Sequence, residues 1–238
     1  MTGQSVVVTA AGGWYTGAVP GLKPLKQHAT YEDLCAVPDH MVAEILNGDL
    51  YASPRPAVPH AHCTTRLAYK IGPAYELGTG SPDRPGGWLL LFEPELHLGS
   101  QVLVPDLAGW RRTRLPAAPK SPYLTLVPDW LCEVVSPSTA RLDRVTKLDI
   151  YARVGVPCLW LLDPLERMLE VFRLEQDRWV RTTAHGDDEV VRAEPFDAIE
   201  LDLLTLWGEE RQAAEAAAVE VSREVAEPQI SPTKAPSR

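Results

Sequence analysis

Two strand-length apolar segments on either side of one helical segment constrain the fold of this chain most strongly. The segments 130-WLCEVV-135 and 157-PCLWLLD-163 are almost entirely hydrophobic, which is typical of strands covered on both faces of a sheet. Residues 138–154 between them have the apolar spacing of a helix. A strand, a helix and a second strand in this order predict a parallel pair with a right-handed crossover.

The other segments predict further strands and helices around this unit. Thr30 and Asp33 have the spacing of a capping box, and Asn47-Gly48 is a strong signal for a β-hairpin. Strands are predicted at 88–92, around Leu96, at 102–110, at 168–174 and at 178–183, and helices at 30–38 and 60–77. Mixed strands and helices of this kind predict an α/β or α+β sheet protein.

Composition and segment boundaries predict one folded domain with two tails. The chain has 238 residues, of which 45% are hydrophobic and 23% are charged, as in ordinary globular proteins. Residues 1–25 are rich in glycine and small side chains and are predicted to be poorly ordered. Residues 26–207 form the predicted domain, and residues 208–238 form an Ala/Glu-rich helical tail with a disordered end.

Cysteine spacing and hydropathy predict a cytoplasmic protein. The cysteines are Cys35, Cys63, Cys132 and Cys158, and they lack the CxxC spacing of zinc and redox sites. Three of them lie in apolar segments, so we predict reduced thiols in the core. No apolar run approaches the roughly 18 residues of a membrane span. No basic residues precede the N-terminal run VVVTAA, as they would in a secretory signal.

The net charge of −9 argues mildly against binding to a phosphate backbone. Two local basic clusters are nevertheless compatible with such binding. One cluster contains Arg111, Arg112 and Arg114, and the other contains Arg141, Arg144 and Lys147. Arg111 and Arg112 are therefore candidate substrate contacts.

Two carboxylates lie in strand patterns where burial opposes their charge. Glu133 stands within the strand 130–135, and Asp106 follows Pro105 in 102-VLVPDLAGW-110. Two acids on neighbouring strands repel each other and lose solvation, and a hard divalent cation relieves both effects. The pattern predicts that Asp106 and Glu133 bind Mg²⁺, for which Mn²⁺ can substitute.

A lysine follows on the helix that leaves the Glu133 strand. Asp143, Lys147 and Tyr151 are spaced by four residues and share one helical face. An ammonium at this place can hold an attacking water or neutralise charge that develops on a phosphoryl group. Asp143 and Tyr151 are candidates for supporting the same site.

Each of these residues also has an ordinary structural interpretation. Asp106 in a Pro-Asp pair is often a turn residue that bonds to its own backbone. Glu133 can also be satisfied by an arginine from the neighbouring helix. Lys147 with Asp143 is a common solvent-exposed ion pair. The order and spacing of the residues together favour the catalytic interpretation.

The order of these motifs resembles a bacterial family of restriction-endonuclease-like proteins (Uma2-like, formerly a domain of unknown function) in the PD-(D/E)xK nuclease superfamily. The matching pieces, within roughly residues 28–205, are 44-EILNGDLYASPRP-56, 105-PD-106, 133-EVVSPST-139, 143-DRVTKLDIYARVGVP-157 and 160-WLLDP-164. The resemblance implies a restriction-endonuclease-like fold, in which helices flank a central mixed β-sheet, and Mg²⁺-dependent cleavage of a phosphodiester.

The resemblance also implies roles for individual residues. Asp106 and Glu133 match the metal-binding acids, and the backbone carbonyl of Val134 is expected to join them. Lys147 matches the catalytic lysine. In the superfamily this lysine commonly follows the second acid by two residues, but Val135 holds that position here. The resemblance therefore implies that the lysine has moved to the following helix.

Two further residues match the family pattern. Glu44 matches an acid that joins the site from an N-terminal element, and His60 matches a polar residue of the site. We therefore expect a Mg²⁺-dependent endonuclease-like phosphodiesterase that acts on nucleic acid, in the first place DNA, and a homodimer would suit cleavage of both strands. The alternatives are a catalytically inactive scaffold that binds a protein partner, which the negative charge favours, and a hydrolase of another phosphate ester.

Overall fold

The structure is a computed structural model that describes residues 22–211. The predicted tails fall largely outside these residues, since 1–21 and 212–238 are not described. At the N-terminal boundary, the N–H of Leu25 donates to the carbonyl of Leu50 at 2.7 Å. The chain is therefore tied to the domain already at this residue.

The domain contains both strands and helices, as predicted. In chain order the strands are β1 Met41–Leu46, β2 Asp49–Pro54, β3 Trp88–Phe92, β4 Leu96–Leu98, β5 Gln101–Leu103, β6 Leu107–Arg111, β7 Trp130–Val134, β8 Cys158–Asp163, β9 Met168–Glu175, β10 Arg178–Gly186, β11 Val190–Val191 and β12 Leu201–Asp202. The helices are α1 Tyr31–Cys35, α2 Val58–Tyr75, α3 Leu148–Val154 and α4 Leu203–Leu206, and a π-helical turn, Leu142–Lys147, leads directly into α3.

A six-stranded mixed sheet forms the centre of the fold. Its strand order is β10-β9-β8-β7-β6-β3. β7 and β8 pair in parallel, with Leu131 opposite Leu159, and the other neighbours are antiparallel. Because the π-helical turn and α3 connect the two parallel strands, the predicted strand–helix–strand unit is confirmed.

Side chains of β7 alternate between two layers, because successive residues of a strand point to opposite faces of the sheet. Trp130, Cys132 and Val134 pack in the layer that contains α2. Leu131 packs in the layer that contains α3. Glu133 shares the face of Leu131, so its carboxylate points toward the π-helical turn and α3.

Local signals in the N-terminal third form as predicted. The side chain of Thr30 accepts the N–H of Asp33, and the side chain of Asp33 accepts the N–H of Thr30, which completes the capping box of α1. Asn47 and Gly48 have φ angles of 54° and 87°, as a two-residue hairpin turn requires. They connect β1 to β2 in a second, four-stranded sheet of order β2-β1-β5-β4.

The strand predicted over 102–110 is divided between the two sheets. β5 pairs in the four-stranded sheet and β6 in the six-stranded sheet. Pro105 lies between them and has no N–H to donate to a strand ladder. Asp106 therefore lies where the chain passes from one sheet to the other.

The helix predicted over 138–154 has two geometries. Its first part is the π-helical turn, which is rare and is found often at functional sites. Its second part, α3, ends at Gly155, whose φ of 84° suits glycine. The helix predicted over 60–77 is confirmed with a shift of two residues, as α2.

The cysteines are free thiols. Cys63, Cys132 and Cys158 are buried, as predicted, and Cys35 is exposed at the end of α1. None of the helices within residues 22–211 is long and apolar enough to cross a membrane.

Candidate active site

Glu133 is buried in β7, with 2% of its surface exposed, and has two polar partners. The hydroxyl of Tyr151 donates to Oε1 of Glu133 at 2.6 Å, and Nζ of Lys147 lies 3.3 Å from the same oxygen. The alternative of an arginine from the adjoining helix is wrong, because Arg144 bonds to Glu170 instead. The lysine supplies the opposite charge that a buried carboxylate requires.

Lys147 is enclosed by three carboxylates. Its Nζ lies 2.9 Å from Oε1 of Glu44, 3.3 Å from Oε1 of Glu133 and 3.5 Å from Oδ1 of Asp143. Only 6% of the lysine side chain is exposed. The interpretation of Lys147 and Asp143 as a solvent-exposed pair is therefore wrong, although the two residues do pair. An ammonium has three N–H donors, so the three acids can engage all of them.

Asp106 bonds to the backbone of β7 and not to its own. The N–H of Val134, 28 residues away in sequence, donates to Oδ2 of Asp106 at 2.7 Å. The turn interpretation of Asp106 is therefore wrong. Nε2 of His60 lies 3.2 Å from Oδ1 of Asp106. Because Val134 directly follows Glu133, the peptide that joins them places both acids beside one short stretch of β7.

Burial lowers the pKa of His60, but its contact with Asp106 outweighs this effect. The net pKa of the imidazole is raised above its ordinary value. The contact with Asp106 therefore favours the protonated form of His60.

One cavity of about 390 Å³ connects these groups, and residues of both sheets line it. The predicted site residues in its wall are Glu44, His60, Asp106, Glu133, Val134, Asp143 and Lys147. Tyr151 is fully buried and reaches the site through its hydrogen bond to Glu133. The fold thus brings together β1, α2, the Asp106 junction, β7 and the π-helical turn.

Arg111 and Arg112 do not lie at this cavity. β6 begins just after Asp106 and ends at Arg111, and a strand of five residues spans about 17 Å. The guanidinium of Arg111 lies 4.0 Å from the centroid of the Trp88 ring instead. The structure therefore corrects the prediction that these arginines support the site, because the strand separates them from it.

Burial and crowding perturb the acids and the lysine in different ways. Burial is the largest effect on Glu133 and raises its pKa well above the ordinary value, while Lys147 opposes the rise. Burial likewise raises the pKa of Glu44 and of Asp143. Burial lowers the pKa of Lys147, but the three carboxylates outweigh it and the net pKa is raised well above the ordinary value. The lysine therefore stays protonated, whereas the three acids resist full ionisation.

Comparison with known proteins identifies the family. The sequence model of the Uma2 family, described as "Putative restriction endonuclease", matches residues 28–205, about three quarters of the chain. The chain belongs to the Uma2 family. The resemblance inferred from the motifs is confirmed, and its family is one of nuclease-like proteins. No curated protein matches this Uma2 sequence significantly.

A solved structure has the same fold as this Uma2 protein. It is the crystal structure of a putative nuclease belonging to DUF820 from Anabaena variabilis. The TM-score is 0.60 and the sequence identity 20%, over 76% of this chain and 98% of that one. The predicted fold, a mixed sheet flanked by helices as in restriction endonucleases, is confirmed.

The cavity of the Uma2 protein offers the oxygen donors that a hard cation requires. Within residues 22–211 no three His, Cys, Asp or Glu side chains form a ready-made metal cluster. Mg²⁺, however, is usually held by only one or two carboxylates, together with water and substrate oxygens. Glu133 meets Lys147 and Tyr151 through Oε1 alone, and each oxygen of Asp106 has one partner, so both acids keep lone pairs with which they could hold a cation.

Two charged residues of the cavity wall, Arg55 and Glu93, are not predicted from the sequence. Arg55 directly follows β2 and Glu93 directly follows β3, and both line the cavity. Polar residues after strand ends are candidates for functional sites. The sequence does not show, however, that these strand ends, which belong to different sheets, meet in space.

Proposed function

We propose that this Uma2 protein is a Mg²⁺-dependent endonuclease that cleaves phosphodiester bonds of DNA. The observation that supports this most strongly is the placement of Asp106 and Glu133 beside one peptide of β7, with Lys147 next to Glu133. Two carboxylates and an ammonium in one cavity are suitable groups for metal-assisted phosphodiester hydrolysis. The description of the family as putative restriction endonucleases points to the same chemistry.

In this proposal Asp106, Glu133 and the carbonyl of Val134 hold Mg²⁺, or Mn²⁺ in its place. When bound, the ion polarises a phosphate oxygen and lowers the pKa of a water molecule. The N–H of Val134 fixes Oδ2 of Asp106, and the hydroxyl of Tyr151 fixes Oε1 of Glu133. Both acids are thus oriented before substrate arrives, which favours a productive geometry.

Lys147 has two roles in this proposal. In the free protein its ammonium faces Glu44, Glu133 and Asp143 and balances part of their charge. A substrate phosphate that enters the cavity is a competing anion. Exchange of one carboxylate for a phosphate oxygen would place the ammonium beside the charge that develops during cleavage.

Glu44 is the proton acceptor in this proposal, since Asp106 and Glu133 are taken up by the metal. It lies closest to Lys147, and burial raises its pKa. A base whose pKa is closer to neutral pH exchanges protons more effectively at that pH. Glu44 would therefore take the proton of the attacking water once Lys147 turns to the phosphate.

Nicking of supercoiled plasmid by the purified full-length protein tests the proposal. We expect nicking with Mg²⁺ or Mn²⁺, none with EDTA, and at least about a 100-fold loss of rate in Asp106→Asn and Glu133→Gln. Asp129→Asn is the control, because Asp129 is a partly buried acid that pairs with Arg114 away from the cavity. Equal nicking by wild type and both site variants would identify a contaminant and overturn the proposal.

Calorimetric titration with Mn²⁺ separates the enzyme from the scaffold alternative. Binding that disappears in Asp106→Asn supports the enzyme, because that variant keeps the volume of the side chain and removes its charge. Absence of both binding and nicking would support the scaffold. Digestion of RNA of the same sequence, run in parallel, tests the choice of DNA.

We also propose that the protein acts in the cytoplasm as a homodimer. Three buried free thiols suit a reducing compartment, and a two-fold dimer suits cleavage of both strands of a duplex. Sedimentation equilibrium measures the assembly. A monomer at all concentrations that support nicking would contradict the dimer.

A further inference from the structure

The charge of the cavity wall raises the question of how a phosphodiester enters it. Five carboxylates in the described wall face the cavity, those of Glu44, Glu93, Asp106, Glu133 and Asp143. The Lys and Arg residues of this wall are Lys147 and Arg55. An anionic chain is repelled by such a wall unless a cation near the opening attracts it.

Lys147 is poorly placed to make the first contact with substrate. Its side chain is 6% exposed and is surrounded by three carboxylates. Arg55, by contrast, is 56% exposed. Among the described residues of the wall, Arg55 is therefore the accessible permanent cation.

The guanidinium of Arg55 already donates hydrogen bonds to two oxygen atoms, the kind of acceptor that a phosphate offers. Nη1 donates to Oε2 of Glu93 at 3.1 Å, and Nη2 donates to the carbonyl of Asp39 at 3.2 Å. Its planar set of donors matches two oxygens of a phosphate as well as it matches these two acceptors. The two bonds hold the guanidinium in place at the cavity wall.

Arg55 also lies between two cavities. A second cavity of about 450 Å³ adjoins the first, and Val42, Arg55, Glu93 and Val104 line both. A nucleic-acid strand that extends from the reacting phosphate into the second cavity would pass the guanidinium. The position suits a contact to a phosphate next to the one that is cleaved.

We infer that Arg55 binds the substrate phosphate next to the one that is cleaved, and that Glu93 competes with this phosphate for the guanidinium. The inference rests on the proposed function, since it takes the ligand to be a nucleic-acid phosphodiester. The arginine side of this ion pair is open to solvent, and an ion pair that solvent reaches is weak, so a phosphate can displace the carboxylate.

Glu93 is held close to the proposed metal site by its backbone. Its N–H donates to the carbonyl of Asp106 at 3.1 Å. When a phosphate takes its place on Arg55, the carboxylate can therefore move by side-chain rotation alone, without a change at Asp106. Binding of a phosphate at Arg55 therefore does not require Asp106 to move. DNA binding can for this reason be measured separately from cleavage.

Fluorescence anisotropy of a labelled DNA duplex measures the contact, with Ca²⁺ in place of Mg²⁺ and full-length protein. Arg55→Ala is expected to weaken binding by about tenfold and to reduce the slope of log K against log salt by about 1. Arg55→Lys should bind DNA more tightly than Arg55→Ala but less tightly than wild type, because it keeps the positive charge and loses the paired N–H donors of the guanidinium. Glu93→Gln should tighten binding, because it removes the competing anion.

The chain offers a closely matched control pair. Arg192 is 53% exposed and bonds to one carboxylate, that of Glu200 at 3.3 Å, and to one carbonyl, that of Asp197 at 3.1 Å, away from both cavities. Arg192→Ala and Glu200→Gln change the net charge equally and should leave the affinity and the salt slope unchanged. Thermal unfolding of all variants checks that each is folded.

The possible results separate failure of the inference from failure of the proposed function. If wild type binds DNA and Arg55→Ala binds equally well, or Arg192→Ala loses as much, the role of Arg55 is overturned while the nuclease proposal stands. If wild type does not bind the duplex, both the inference and the proposed function are overturned. If binding depends on Arg55 but Asp106→Asn still nicks, the inference stands and the proposed metal chemistry fails.

Discussion

The Nζ atom of Lys147 lies 2.9 Å from Oε1 of Glu44, and this contact joins the π-helical turn to the four-stranded sheet. The same oxygen of Glu44 accepts the N–H of Val104 at 2.8 Å. Lys147 also contacts Glu133 in the six-stranded sheet. One buried ammonium therefore connects both sheets, and the proposed catalytic lysine is part of the structure of the domain.

Loss of this lysine is expected to lower the stability of the protein strongly. Lys147→Met leaves three buried carboxylates without their cation, so the free energy of unfolding should fall by about 3 to 5 kcal/mol. Urea denaturation at pH 7 measures the change. Lys120→Met, at an exposed position, is the control and should change stability little. Equal stability of the two variants would contradict the structural role of Lys147.

The same ion pairs predict a loss of stability at alkaline pH. The folded pKa of Lys147 is raised above its unfolded value. Its stabilising effect is therefore complete below the unfolded pKa of about 10.4 and is lost as pH rises through the folded pKa. Unfolding followed by tryptophan fluorescence between pH 9 and 12 should show a larger loss in wild type than in Lys147→Arg, which keeps its charge (both pH limits are approximate settings).

Removal of one buried acid should stabilise the protein in the absence of metal. The folded pKa of Glu133 is raised, so the folded state opposes ionisation of this residue. Ionisation of Glu133 therefore lowers the free energy of unfolding of the wild type as pH rises above the unfolded pKa of about 4.3. Glu133→Gln cannot ionise, so this decrease is absent in the variant. We expect Glu133→Gln to raise Tm by about 2 to 4 °C near pH 8 and by less near pH 4. A lower Tm of the variant at both pH values would contradict this account.

Metal binding should strengthen as pH rises. The acids of the cavity hold protons more tightly than free carboxyls, because burial raises the pKa of Glu44, Glu133 and Asp143. A divalent ion must compete with these protons, so its affinity rises until the carboxyls are ionised. Titration with Mn²⁺ in buffers of different ionisation enthalpy should detect proton release. Affinity that is constant across the acid and neutral range would exclude the competition.

The order of strands and helices was predictable because each depends on signals that are local in sequence. The Asn47-Gly48 turn fixes one hairpin, and two apolar strands around one helix fix the parallel pair β7 and β8. The division of 102–110 between two sheets was not predictable in the same way. It depends on which strands pair with each half, and that partner choice is set by contacts distant in sequence.

The acids of the candidate site were recognisable because charge in an apolar strand needs a compensating partner. The full set of groups around these acids was harder to predict from the sequence. The helical spacing of Asp143 and Lys147 gives no sign that Glu44 approaches the same ammonium from the other sheet. Arg55 and Glu93 were not found for the same reason, since each is ordinary in its own segment and only the fold brings the two together.

Tyr151 should tune the ionisation of Glu133 through its hydroxyl, which donates to Oε1 at 2.6 Å. Tyr151→Phe removes a bond to the charged form of the acid, so the pKa of Glu133 should rise further and the pH midpoint of nicking should move to higher pH. Loss of one buried hydrogen bond should also lower stability by about 1 to 3 kcal/mol. Tyr75→Phe is the matched control, because Tyr75 is also buried and its hydroxyl accepts the N–H of Ala198 at 2.8 Å in the other layer. It should lose stability without moving the midpoint, and an equal movement in both variants would mean that Tyr151 acts through the fold alone.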